Sequence, residues 1–207
     1  GMVEAWPDNE RLLLAAAQAY ASFASAFIDD LNENYATMLY RRAKDYALRA
    51  LTQRGFQQPR QMPLDDFQNR LHQMDRRDVP YLFWAAANWG NWIGNNLRSM
   101  AAVAELPRVE LMMKRVLELD ETFYYGGPHL FMGIWYASRP KMAGGNLVKA
   151  RQHFLDAIDI SEDKFLMTRI YYADYYARKI FDKQLYTAIL HQALDTPADI
   201  VPELTLL

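Results

Sequence analysis

Apolar residues along this chain recur at steps of three and four, and no stretch alternates with period two for long enough to build a sheet. Asp8 or Asn9 can cap a first helix whose stripe is Leu12, Ala16, Ala19, Tyr20, Phe23 and Phe27 and which ends near Asp29. A second helix carries Tyr35, Leu39, Ala43, Tyr46, Ala47 and Ala50 to Leu51, and Arg54-Gly55 closes the pair. Residues 53–79, rich in glutamine and broken by Pro59 and Pro63, read as a polar excursion with one short helix around Asp65 to Met74. Three more pairs follow, over about 81–119, 128–160 and 164–194. With the first pair at 9–51, the expectation is an all-α fold: one domain over 1–207, built as an array of antiparallel helix pairs.

One segment strains that simple pattern. Residues 84–96, WAAANWGNWIGNN, place three tryptophans and two glycines within a helix, where glycine costs roughly 1 kcal/mol against alanine. At about 100° per residue, Phe83, Ala86, Ala87, Gly90 and Gly94 share one nearly flat side, and Tyr81, Trp84, Ala85, Asn88, Trp89 and Trp92 share a bulky one. The flat side predicts a close helix approach at Gly90 and Gly94, offset by dispersion contacts. The bulky side predicts the inner wall of the array, with indole N–H and amide groups available for partners.

Spacing adds detail. A tetratricopeptide repeat sets a small residue midway along its first helix with an aromatic three positions on, then small-x3-large-x2-small on its second. Gly133 and Tyr136 followed by Ala150, Phe154 and Ala157 fit this, and Ala173 with Tyr176 repeats the first half. Ala86 and Trp89 with Val109, Met113 and Val116 form a looser copy, and Ala17 and Tyr20 with Ala43, Ala47 and Ala50 the most distant. The architecture expected is a degenerate, right-handed solenoid of this repeat type.

Charge removes several functions. Lys and Arg number 23 against 25 Asp and Glu with no long run of either sign, so the basic patch that nucleic acid requires is not expected. The chain has no cysteine, which excludes disulfides and thiolate metal sites. It shows no export signal and no apolar run of membrane-spanning length. His72, His129, His153 and His191 are scattered, without HExxH or ExxH spacing, so no metal, cofactor or catalytic set is expected and the histidines read as packed or helix-end residues. "DDFQN" from Asp65 reads as a solvated first helical turn. The pairs Gly126-Gly127 and Gly144-Gly145 lack the preceding strand of a phosphate loop and read as turns that open helices. Aromatics make up 14% of the chain, more than a core ordinarily uses, and amphipathic rings suit an apolar ligand cleft or a partner surface.

The block RVLELDETFYYGGPHLFMGIWYASRPKMAGGNLVKARQHFLDAI, residues 115–158, resembles the T component of TRAP transporters, the tetratricopeptide-associated kind often called TatT. Its order of Leu-Asp, aromatics, Gly-Gly, His, small Gly133, Pro140, Gly144-Gly145, Lys149-Ala150 and Phe154-x2-Ala157 carries the likeness. "LYRRAKDYALRAL" at 39–51, "VPYLFWAAANWGNWI" at 79–93 and "YYADYYA" at 171–177 look like its other blocks. The resemblance implies a non-enzymatic periplasmic helper, lipid-anchored through an upstream segment. It further implies an oligomer, a trimer by analogy, that binds the periplasmic solute-binding protein and handles an apolar small molecule. Trp84, Trp89, Trp92, Tyr125, His129 and Trp135 are the expected cleft wall, with Gly90, Gly94, Gly126, Gly127, Gly133, Gly144, Gly145 and Ala150 as turn and packing positions. The competing expectations are a generic peptide-binding adapter of another envelope complex and, less supported by the residues, an enzyme acting on a lipid or terpenoid.

Overall fold

The computed structural model describes residues 2–28, 31–197 and 200–201, and these are helical with no strand. The expected end of the first helix at Asp29 lies outside the described residues. Contacts divide the chain into two compact units, residues 1–120 and 121–207.

In the first unit, a short α1 (Met2–Ala5) precedes α2 (Glu10–Phe27), α3 (Glu33–Gln53), α4 (Leu64–His72), α5 (Val79–Gly94), α6 (Met100–Val103) and α7 (Leu106–Asp120). Asn9 Oδ1 accepts from Leu12 N at 3.0 Å and Asn32 Oδ1 from Tyr35 N at 3.0 Å, so each long helix opens on a side-chain cap. Helices α2, α3, α5 and α7 then pack successively and antiparallel. Tyr20 stacks near Tyr46 while Arg49 reaches Pro7 O, and Thr37 lies by Asn95 O while Arg54 pairs with Asp78. Trp89 meets Glu105 while Arg76 meets Asp120.

The face of α2 differs from the sequence expectation. Leu13, Ala17, Ala21 and Ala24 are buried, whereas Phe23 and Phe27 are about half exposed. The stripe is rotated by one residue because "LLLAAAQAYASFASAF" is apolar nearly all round and its periodicity fixes no phase. The alanine line wins because small side chains let α2 approach Ala36 and Ala43 of α3 within one cluster.

The polar excursion also contributes to the core. Phe56 and Phe67 are fully buried with ring centroids 4.8 Å apart, and Leu71 and Met74 are buried beside α7. Arginines of α7 tie this segment down through its carbonyls: Arg108 donates to Met62 O at 2.6 Å, and Arg115 to Leu71 O at 3.1 Å and Met74 O at 2.8 Å. These backbone carbonyls thereby gain charge-assisted partners. Asp65 and Asp66, as expected, are exposed in the first turn of α4.

The second unit holds α8 (Phe123–Ser138), α9 (Leu147–Ile160), α10 (Leu166–Tyr171) running into a π-helical segment over Tyr172–Ala177, and α11 (Lys183–Asp195). Helix α9 opens on Asn146, whose Oδ1 accepts from Lys149 N at 3.0 Å. It lies antiparallel to α8: Gly126 faces Ala157, Gly133 faces Phe154, and Asn146 N donates to Tyr136 O. Ala150, Phe154 and Ala157 are all fully buried and share one cluster with Ala173 and Ala177. The turn into α8 is left-handed at three successive residues, Tyr124 (φ 49°), Tyr125 (φ 59°) and Gly126 (φ 73°). Only the last is a glycine, so the two tyrosines carry a conformational cost of roughly 1–2 kcal/mol each. Their ring packing compensates: Tyr125 stacks on Phe165 at 5.3 Å and Tyr124 meets the same ring edge-on at 5.9 Å. At the following turn, a Cβ on Gly145 would lie 2.0 Å from Arg139 O, so close backbone approach demands glycine there.

Candidate functional site

The expected cleft residues fall three in each unit. On α5, Trp89 is fully enclosed and its Nε1 donates to Glu105 Oε2 at 2.6 Å. Trp84 and Trp92 are half-buried on the same bulky side, with Trp84 edge-on to Phe83 at 5.1 Å. That side is packed, with Tyr81, Ala85, Asn88 and Trp89 all buried, and so is the first part of the flat side, where Phe83 and Ala86 are buried; α5 lies between α3 and α7. The flat side does not close on a neighbour at its end: Gly94 is exposed and a Cβ there would meet nothing within 4 Å. The close approach expected at Gly94 is therefore absent, because α5 ends at that residue and Asn95 caps it. Gly90 is half-buried.

Around the α5 tryptophans sits a buried polar cluster. Lys44 of α3 is 2% exposed, with its ammonium 3.7 Å from the centroid of the Trp92 ring and 3.6 Å from Asp45 Oδ1. Burial pushes its pKa below the ordinary lysine value, partly countered by Asp45 and Glu105, while the charge of Arg60 adds to the lowering. Glu105 is the hub: besides the Trp89 indole it accepts from Arg60 Nε at 3.1 Å and Nη2 at 2.6 Å. Asn88 is fully buried, and among the described residues neither its amide nor the Trp92 Nε1 has a hydrogen-bond partner. Indole, ammonium and amide are packed inside the unit here, with Trp89 and Asn88 at 0% and Lys44 at 2% exposure.

In the second unit, Tyr125 borders a shallow concavity of about 250 Å³ together with Ile160, Ser161, Glu162, Lys164, Ile200 and Val201. Trp135 is buried, stacked on Phe131 at 5.7 Å, with the Arg139 guanidinium 3.3 Å over its ring. His129 is 8% exposed and does not stand alone. Its Nδ1 lies 3.0 Å from Nδ1 of His153 and 3.4 Å from Asp156 Oδ2, and its Nε2 lies 3.3 Å from Glu121 Oε2. Tyr136 stacks on the His153 ring at 5.6 Å, and Lys149 Nζ sits 5.5 Å from the Tyr136 centroid. Burial, with the neighbouring His129, lowers His153 to about 4.

A model of the TRAP transporter T-component family matches residues 1–207, the whole chain. The chain belongs to that family. No curated protein matches it. The T-component is an accessory subunit of a TRAP transporter, and among its described residues no helix is long and apolar enough to cross a membrane.

Two groupings in this T-component escaped the sequence pattern. The histidines read as scattered, yet antiparallel pairing of α8 and α9 joins His129 to His153 across 24 positions. The signal available was the three-residue step from His153 to Asp156, which places both on one helical face. Lys44 in "RRAKDYALRA" carries one local mark, its position between Ala43 and Ala47, both buried. Glu105 and Arg60 carried no signal, since they meet across 45 positions that include α4, α5 and α6.

Proposed function

We propose that this T-component is a non-catalytic periplasmic subunit that docks the transporter's solute-binding protein through an apolar end of its first unit. The observation that carries this reading is the cluster of exposed apolar side chains where α2 ends, α3 begins and α5 gives way to α6. Phe23, Phe27, Leu31, Tyr35, Met38 and Leu97 are each at least 40% exposed. Antiparallel packing gathers them: Asn32 N bonds to Ile28 O at the α2–α3 turn, and Thr37 Oγ1 lies 3.5 Å from Asn95 O at the end of α5. Clustered exposure of large apolar groups marks an interaction surface, and membership of a transport complex supplies the class of partner. The partial exposure of Trp84 and Trp92 supports handling of an apolar solute by the same subunit. The antiparallel pairs within each unit, with Gly133 giving room to Phe154, support reading them as degenerate tetratricopeptide-like repeats.

Size-exclusion chromatography with light scattering, on the protein alone and mixed with the solute-binding protein encoded beside it, tests the docking. A stoichiometric complex is expected, lost in Phe27→Glu and Leu97→Glu variants that keep wild-type melting. A complex indifferent to both substitutions would overturn the assignment of this surface. A fall in the mass of the protein alone would instead make it a contact between copies, as in the trimer implied by the family resemblance.

A further inference from the structure

Four polar groups in the second unit converge in a way that helix packing does not require. His129 projects from α8, and His153 and Asp156 from successive turns of α9. Glu121, just before α8, lies against the far nitrogen of His129. We infer that His129, His153 and Asp156 form a mononuclear site for a divalent transition metal, with zinc the best match to the donors.

The distances support this directly. In a tetrahedral zinc site with bonds of about 2.0–2.1 Å, neighbouring ligand atoms stand about 3.3 Å apart. Nδ1 of His129 is 3.0 Å from Nδ1 of His153 and 3.4 Å from Oδ2 of Asp156, and all three residues offer ligand atoms within 4.8 Å of one another. Opening the histidine pair by a few tenths of an ångström brings both contacts of His129 Nδ1 to that spacing. Glu121 accounts for the tautomer. Nε2–H of His129 donates to its carboxylate at 3.3 Å, which turns the Nδ1 lone pair toward His153 and Asp156. A ligating imidazole characteristically donates its other N–H to a carboxylate in this way. His153 is held in place from the side by the stacked Tyr136 ring.

The donor set selects the metal class. Two imidazole nitrogens and one carboxylate suit zinc and its transition-metal neighbours, whereas calcium takes six to eight oxygens and magnesium an oxygen octahedron. Three protein ligands leave a fourth position for water or a group on a partner. Access runs along the carboxylates, since the Asp156 side chain is 33% exposed and that of Glu121 63%. The metal would cross-link α8 to α9 and stiffen the pair.

The test uses the full chain, stripped with EDTA and titrated with zinc chloride against a chromogenic chelator, with cobalt(II) as a spectroscopic substitute. One equivalent is expected to bind at micromolar or lower dissociation constant, to raise the melting temperature, and to give the visible absorption of four-coordinate cobalt. His153→Gln and Asp156→Asn should each weaken binding at least tenfold, as losses at metal sites do. Asp156→Asn alters a partly exposed side chain and keeps the test informative if the histidine variant fails to fold. His191→Gln, on exposed α11, should bind as wild type. No saturable equivalent, or binding abolished by His191→Gln and untouched by Asp156→Asn, overturns the site.

Discussion

Replacing Gly126 by alanine isolates the backbone geometry that starts α8. Its φ of 73° is one that a Cβ disfavours by roughly 1–2 kcal/mol. The added Cβ would also lie 3.1 Å from Ala157 Cα, 3.3 Å from Ala157 O and 3.3 Å from Ile160 Cβ, two of them backbone atoms of α9 that cannot swing aside. Overpacking of that kind costs about 1–3 kcal/mol, so the sum is about 2–5 kcal/mol. The matched control is Gly94→Ala, where nothing lies within 4 Å and φ is ordinary, so the helix gains up to about 1 kcal/mol. Urea unfolding followed by far-ultraviolet circular dichroism gives both values, with the slope checked so that a change in midpoint reports stability. The two substitutions should move the midpoint in opposite directions. Gly126→Ala within about 0.5 kcal/mol of wild type, the range of an ordinary surface change, would refute both the left-handed turn and its contact with α9.

Other side chains give equally direct expectations. Lys44→Met removes a buried ammonium while keeping its bulk against Trp92, so stability near neutral pH should hold or rise, as for other isosteric replacements of buried charge. Because burial lowers the folded pKa of Lys44, the unfolded chain binds the extra proton in the window below 10.5; wild-type stability should therefore climb relative to Lys44→Met as pH rises toward that value, and parallel curves would count against the shift. Trp89→Ala should cost about 3–5 kcal/mol in urea unfolding, since the side chain is fully enclosed and its loss also strips Glu105 of the indole donor; a loss under about 1 kcal/mol would place the ring at an open wall. Asp182→Ala removes the 2.9 Å bond to Leu185 N at the start of α11 and should cost about 1 kcal/mol, read by faster amide exchange in that helix's first turn.

Helix positions were legible wherever a cap or a small residue fixes them. Asn9, Asn32, Asn146 and Asp182 each accept a backbone N–H at a helix start, and asparagine or aspartate before an apolar run is a local signal. The repeat spacing found Ala150, Phe154 and Ala157, Val109, Met113 and Val116, and Ala43, Ala47 and Ala50, all fully buried. Phase was lost on α2, where apolar residues on every side leave tertiary packing to choose the inward face. The turn into α8 was half legible: Gly126 announces a positive φ, but the two tyrosines before it do not, since their strain is carried by Phe165, about 40 positions away. The polar clusters were least visible, because each joins elements through contacts that no local pattern encodes.

The π-helical segment has a consequence for how α10 and α11 are phased. Its wide turn shows in the five-residue bond from Arg178 N to Ala173 O at 3.0 Å, and the chain then closes past left-handed Phe181 (φ 58°) with Asp182 N bonded to Ala177 O at 3.0 Å. Each five-residue turn takes up one residue more than an α-turn, so the segment works as an angular spacer. It keeps Ala173 and Ala177 on the core side while Lys179 reaches the Ala137 carbonyl at the end of α8 and Asp182 arrives in place to start α11. Deleting any one residue between 172 and 177 would give the helix a more regular course. It would also turn everything beyond by about 100° and carry Lys179 away from the carbonyl it serves. Here a local irregularity preserves the longer-range alignment.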